Sequence, residues 1–266
     1  MEKRIEAPRA RQLELPAQLT MRVSLGLDAQ AAALLYTSLN VIGRHDAYVR
    51  SGGYARARGA DAAGYLTEYS LFQHSISVAV LCGSAAVSLG FNPTDSAILV
   101  LAACLHDQGK TYDSVFWVNR QFTQAENLLK GHHATVSAQM FHRTARRLRC
   151  QKQFWYKPAA ALVKQHHTPW KLAPRHLRAL GEILHFADIY TACAENRFRN
   201  QLPHSDCVRS MHEQSFGGKA EYIASAETIR AVAANALALA QEKTELETTA
   251  GVPVGIPLRA SAKAPV

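Results

Sequence analysis

The sequence has little cysteine, no long apolar run and no repeat, and each absence removes a class of protein. Its five cysteines, Cys82, Cys104, Cys150, Cys193 and Cys207, never form a C-x-x-C pair. Neither a disulfide framework nor a thiolate zinc site is therefore encoded, and such usage suits a reducing compartment, so a cytoplasmic protein is expected. The longest apolar stretch, about Ala97 to Leu105, falls far short of the roughly 20 residues of a membrane helix, and no membrane partner is expected. The first residues mix Glu2, Lys3, Arg4, Glu6, Arg9 and Arg11 without an apolar core, so no secretory signal is expected. No period between about 20 and 50 residues recurs, which argues against a solenoid.

What is present is a chain of 266 residues, 48% hydrophobic and 19% charged, enough to bury a core without covalent staples. Thirty Lys and Arg against 21 Asp and Glu give a net charge of +9, a standing attraction for phosphate-bearing partners, nucleic acid among them. The periodicity is helical and no strand pattern interrupts it, so the fold class is all-α. Asp28 is a plausible cap for a helix from Ala29 to about Ile42, after which Ser51-Gly52-Gly53 breaks the chain. Further helices are predicted over Leu71 to Leu89, from Pro93 (capped by Asn92) through Leu105, His133 to Leu148, Pro158 to His167, Pro174 to about Glu195, and Ala220 to about Glu245. Residues 1–26 read as an irregular arm, 27–246 as one helical domain with its motif core at 65–200, and 247–266 as a disordered tail.

Twelve histidines are many for this length, and their placement matters more than their number. His106-Asp107 ends the apolar run Leu99 to Leu105 and is followed by Gln108-Gly109-Lys110. Two adjacent ligating side chains at the end of a buried helix are costly unless something satisfies them, and a metal ion would do so. Gly109 reads as a helix C-terminal cap, with Lys110 able to swing back over the same pocket. His74, His133, His166, His167 and Asp188 stand at intervals that let separate helices gather them in a bundle interior. That inventory suits iron, manganese, nickel, cobalt or zinc.

His74-Ser75-Ile76-Ser77-Val78-Ala79, Leu105-His106-Asp107-Gln108-Gly109-Lys110 and Ala187-Asp188-Ile189-Tyr190 together resemble the H…HD…D pattern of the HD-domain metal-dependent phosphohydrolases, over about Tyr69 to Arg199. His133 and the pair His166-His167 resemble the extra ligands of binuclear members, and the region with Arg197 and Arg199 is similar to the HD-GYP branch. The chain departs from that branch at Thr168-Pro169-Trp170-Lys171, which replaces the Gly-Tyr-Pro loop, so cyclic di-GMP specificity is not implied. Ser70 stands where some members have a Glu resembling a third-metal ligand.

The resemblance implies an HD-type helical bundle holding two divalent transition-metal ions. Asp107 would bridge them, one ion also held by His74, His106 and Asp188, the other by His133, His166 and His167. Asp107 and Lys110 are the candidate catalytic residues, and Lys110, Arg197 and Arg199 are the candidate phosphate holders. The implied activity is hydrolysis of a phosphomonoester or phosphodiester in a phosphorylated small molecule or nucleotide, with Phe116, Trp117 and Trp170 able to face a base.

Two other readings fit the same ligands: a mixed-valent diiron oxygenase, and a DNA-processing or DNA-binding HD protein of a mobile genetic element. Arg4, Arg9, Arg11, the Arg50 to Arg58 loop and Arg143, Arg146, Arg147, Arg149 and Lys152 favour the latter. His45-Asp46 follows Gly43-Arg44, has no Gly-Lys after it, and reads as a surface turn. Of His132 and His133, only His133 keeps the family's spacing to Ser137. His142, His176, His185, His204 and His212 have no motif around them and read as ordinary histidines.

Overall fold

Asp28 is extended, and its carboxylate accepts the amide of Ala31 at 2.8 Å, which starts the first helix, α1 (Ala29–Arg50). In the computed structural model, residues 26–51, 53, 70–112, 132–173, 175–195, 202–215 and 225–249 are described. Seven further α-helices follow: α2 (Leu71–Ser88), α3 (Pro93–Leu105), α4 (His133–Arg147), α5 (Tyr156–Gln165), α6 (Arg175–Ala194), α7 (His204–Ser215) and α8 (Ser225–Thr249). There is no strand among the described residues.

The expected surface turn at His45-Asp46 is instead part of α1, which runs two turns past Ile42. Asp46 is fully buried and accepts from the Ser70 hydroxyl (2.7 Å) and the amides of Leu71 (3.2 Å) and Phe72 (2.8 Å). Ser70 in turn accepts the Gln73 amide at 3.0 Å. The first amides of α2 would otherwise lack partners. A carboxylate on a neighbouring helix meets that need, and this is why a polar residue occupies a core-facing position of α1. Ser70 is thus the cap of the helix that carries His74.

α2 and α3 form the centre. Every residue from Ala97 to Leu105 is buried, and α2 buries 11 of its own. Gly90 connects them with φ +76, the left-handed conformation that suits glycine, while the Phe91 amide returns to the Ala86 carbonyl at 3.0 Å. Asn92 caps α3 through the Asp95 amide at 2.8 Å, with Pro93 first in the helix. By length and mean hydropathy (1.4), α2 is apolar enough to cross a membrane, but it packs against α1, α3, α6 and α8 as a core helix.

α4 and α5 pack as an antiparallel pair: His133 at the start of α4 meets His166 just past α5, while His142 meets Tyr156 at 2.6 Å. The Trp155 indole, fully buried, donates to Asp28 at 2.7 Å and ties the start of α5 to the start of α1. α6 packs against α2, α7 and α8. α7 has no counterpart in the helical pattern of the sequence, because among its described side chains only Cys207 and Met211, one turn apart, are buried. α8 continues to Thr249, three residues beyond the expected domain end at 246. The expected arm lies almost wholly, and the tail beyond Thr249 wholly, outside the described residues.

Candidate metal centre

Two histidines stand just past helix ends and are held the same way. His106 follows α3 and its Nδ1 meets the Ala103 carbonyl at 2.7 Å; His166 follows α5 and its Nδ1 meets the Val163 carbonyl at 2.8 Å. In each case Nδ1–H donates to a carbonyl left open at a helix C-terminus, so Nε2 turns inward. Both helices also aim their negative ends at the same place, which favours a cation.

Around these rings the structure gathers all seven residues that the sequence reading offers as ligands. His74, His106, Asp107 and Asp188 form one group, and His133, His166 and His167 a second, each with ligand atoms within 4.8 Å of one another. In the first group His74 Nε2 lies 3.1 Å from Asp188 Oδ1, and His106 Nε2 lies 3.5 Å from the same oxygen. In the second, His133 Nε2 lies 3.2 Å from His166 Nε2 and 3.0 Å from His167 Nε2. A single N–H on His133 can serve only one of those two neighbours. A shared cation satisfies all three nitrogens.

Asp107 joins the groups. Its Oδ2 faces His106 (3.4 Å) and His74 (3.6 Å), and its Oδ1 faces His133 (3.0 Å) and His166 (3.9 Å). One carboxylate thus offers one oxygen to each cluster. His106 Nε2 and Asp107 Oδ1 are buried without an aligned hydrogen bond, a costly arrangement for a nitrogen and an oxygen unless a cation completes it. The nitrogen and carboxylate donors suit a borderline divalent ion.

The local charges differ between the halves. Burial alone would lower His106, but the Asp107 and Asp188 carboxylates outweigh it and drive that ring up to about 10. Burial likewise opposes the charge on His74, yet Glu195 and Asp188 leave it raised. Despite burial, Asp107 is held well below the usual carboxylate range by Lys110 and His106, and Asp188 by His106 and His74. In the second group burial and neighbouring imidazoles keep His166 low, and burial takes His167 down to about 4. The first half therefore competes for protons as well as for cations, and an ion entering it displaces a proton. His167 keeps an exposed edge, so the second half is the one open to solvent.

Three nearby residues do work that the sequence reading did not assign. Glu195 Oε2 lies 2.8 Å from His74 Nδ1, which turns His74 Nε2 toward the cluster. Glu195 follows Asp188 by seven residues, two helical turns on the same face, a spacing that would have pointed to it. His185, expected to be ordinary, is buried and contacts the His166 carbonyl at 2.9 Å through Nδ1, fixing the turn that bears His166 and His167. Ser137 Oγ accepts the Gly109 amide at 2.8 Å and its carbonyl accepts Gln108 at 3.0 Å, locking the turn after Asp107 onto α4.

Gly109 is not the helix C-terminal cap expected from the sequence; among the described residues Gly90 is the one glycine with the positive φ common to such caps. The chain continues past His106-Asp107 into a 3₁₀ turn, Gln108–Tyr112. Glycine is needed there because a Cβ would press on the His133 carbonyl and stand 2.7 Å from the Ser137 amide nitrogen. Lys110 is buried and paired with Asp107 Oδ2. Trp170 is 39% exposed, while Phe116, Trp117, Arg197 and Arg199 lie outside the described residues. His132 is exposed beside the buried His133. His142, His176, His204 and His212 belong to neither group.

Residues 71–193 match the family model described as HD domain. That span starts at the first residue of α2 and includes all seven gathered residues, with Glu195 just beyond its end. No curated protein and no solved structure matches the chain.

Proposed function

We propose, from the match of residues 71–193 to the HD domain model, that the protein is a metal-dependent hydrolase of the HD superfamily and, more finely, a two-metal phosphohydrolase acting on a phosphomonoester or phosphodiester of a nucleotide-like substrate. The observation that carries the reading is Asp107, whose two oxygens face two separate ligand groups. His74, His106, Asp107 and Asp188 would hold one ion, and Asp107, His133, His166 and His167 the other. Such ions supply Lewis acidity toward a phosphoryl oxygen and lower the pKa of an attacking water.

The chain's own residues have distinct tasks. Glu195 and the Ala103 and Val163 carbonyls hold three imidazoles in the tautomer that presents Nε2. Lys110 carries an ammonium with three donors and no lone pair, so it cannot be a ligand. Were cations bound at Asp107, the Lys110 ammonium would be available to hold a nonbridging phosphate oxygen. The exposed edge of His167 marks the side from which a phosphate would approach.

A panel of phosphomonoesters and phosphodiesters, assayed with metal analysis of the same sample, tests this. Lys110→Ala should keep its metal content and lose about 2 to 4 kcal/mol of transition-state stabilisation, roughly 30- to 1,000-fold in turnover. Wild-type turnover by that variant on every substrate would remove Lys110 from the reaction. Dioxygen consumption without hydrolysis would replace the hydrolase reading with an oxygenase.

A further inference from the structure

From residue 127 to residue 181 the chain has no Asp or Glu, yet it carries eleven Lys and Arg. The remaining residues hold 19 Lys and Arg against 21 Asp and Glu, so this stretch accounts for the whole positive excess of the molecule. Ten of the eleven are described, from Arg143 to Arg178; all ten are exposed, and none forms a salt bridge with a described carboxylate, although Arg178 acts on the carboxyl of Glu182 one turn along α6. Ordinary surfaces intersperse both signs. Three of the ten lie on α4, two on α5, two at the start of α6 and three in the turns between, and so long a stretch of one sign is the footprint of a polyanion.

Their placement on the α4–α5 pair gives the surface its direction. α4 turns His133, Ala134, Ser137, Ala138, Phe141 and Ala145 inward, which leaves Arg143, Arg146 and Arg147 on its outer side. Arg149 continues the row at φ 57, a left-handed position that glycine adopts without strain. The chain keeps a guanidinium there instead. Lys152 and Lys157 flank Phe154, whose ring is 61% exposed in the turn joining the helices. On α4 the cations occupy only the C-terminal part, Arg143 to Arg147, and Lys157 and Lys164, about 10 Å apart along α5, carry the charge from this turn toward the end of the pair that holds His133, His166 and His167.

We propose that this outer face binds the backbone of single-stranded nucleic acid, with Phe154 stacking on a base. Cations spread over such a length do not converge on a small anion, whereas they can follow a chain of phosphates. A ring exposed among them is the usual partner of an unpaired base. A membrane surface fits less well, because the apolar faces of both helices are buried in the core and leave no stripe to insert. The inference does not rest on the hydrolase reading: a nonhydrolytic protein with this surface would bind equally.

Fluorescence anisotropy of a labelled single-stranded DNA of about 20 nucleotides, with its integrity checked on a gel, tests the proposal using the purified full chain. Saturable binding is expected at about 50 mM salt, weakening steeply toward 200 mM. Combining Arg143→Gln, Arg146→Gln, Arg147→Gln and Lys152→Gln should weaken it at least about tenfold and flatten the logarithmic salt slope by about 3, at roughly 0.7 per phosphate contact. Phe154→Ala should weaken it about 5- to 150-fold while leaving the slope and the metal content unchanged. Absence of saturable binding at low salt, undiminished binding by the folded quadruple variant, or binding to phosphatidylserine vesicles in place of the oligonucleotide would overturn the proposal. Preference for duplex with no effect of Phe154→Ala would overturn its single-stranded form.

Discussion

A carboxylate against one nitrogen of an imidazole fixes the ring and raises its basicity, and Glu195 does this for His74 at 2.8 Å. Glu195→Gln keeps a group of the same shape but removes the charge, so the affinity of the first metal group should fall about 10- to 100-fold, read by competition with a chelator. Equal affinity in variant and wild type would make Glu195 a bystander. Gly109 carries a different load, since its missing side chain lets the turn after Asp107 lie on α4. Gly109→Ala should cost about 1 to 3 kcal/mol in denaturant unfolding and lower metal content, because it pushes Asp107 away from His133. The seven gathered side chains were legible in the sequence, as each is a ligating type within an ordered motif. Glu195 was not, because a carboxylate near a helix end resembles any solvated charge until tertiary packing turns it toward α2. For Gly109 the residue type was informative and the reason was not: close approach and a left-handed cap both demand glycine.

Among the helices, α2 depends most on a neighbour. Three donors at its start, the Ser70 hydroxyl and the Leu71 and Phe72 amides, end on Asp46 of α1. Asp46→Ala removes that acceptor from a buried place and should destabilise the protein by about 1 to 3 kcal/mol. His74 sits in the same first turn, so bound metal should fall as well, with part of both losses recovered in Asp46→Asn. Unchanged melting and metal content in Asp46→Ala would return the His45-Asp46 pair to the surface role its sequence suggests. The sequence stopped α1 too early because Gly43, Arg44, His45 and Asp46 interrupt the apolar period, and nothing local announces that Asp46 faces inward to cap another helix. α7 escaped notice for a related reason: with two buried residues on a polar helix, its pattern is too thin to register. The longer periods of α2, α3 and α6 located those helices to within a residue or two at most of their boundaries.

In the molecule as a whole, the site exists because α2, α3, α5 and α6, with the start of α4, converge. Two C-terminal helix ends, three carboxylates and five imidazoles meet in one place, where His167 is the exposed member of the two ligand groups. One half holds Asp188 with the rings of His74 and His106, the other holds three imidazoles, and Asp107 spans the two. Sequence order alone could group ligands by resemblance; the distances through Asp107 needed the packed helices. The proposed centre has two ions sharing that carboxylate, and metal content per purified chain measures it directly. The account predicts about two divalent ions in the wild type, about one after His133→Ala with His166→Ala, and none after Asp107→Ala. A wild-type value near one that the His133 and His166 substitutions leave unchanged would contradict it, reducing the centre to His74, His106, Asp107 and Asp188.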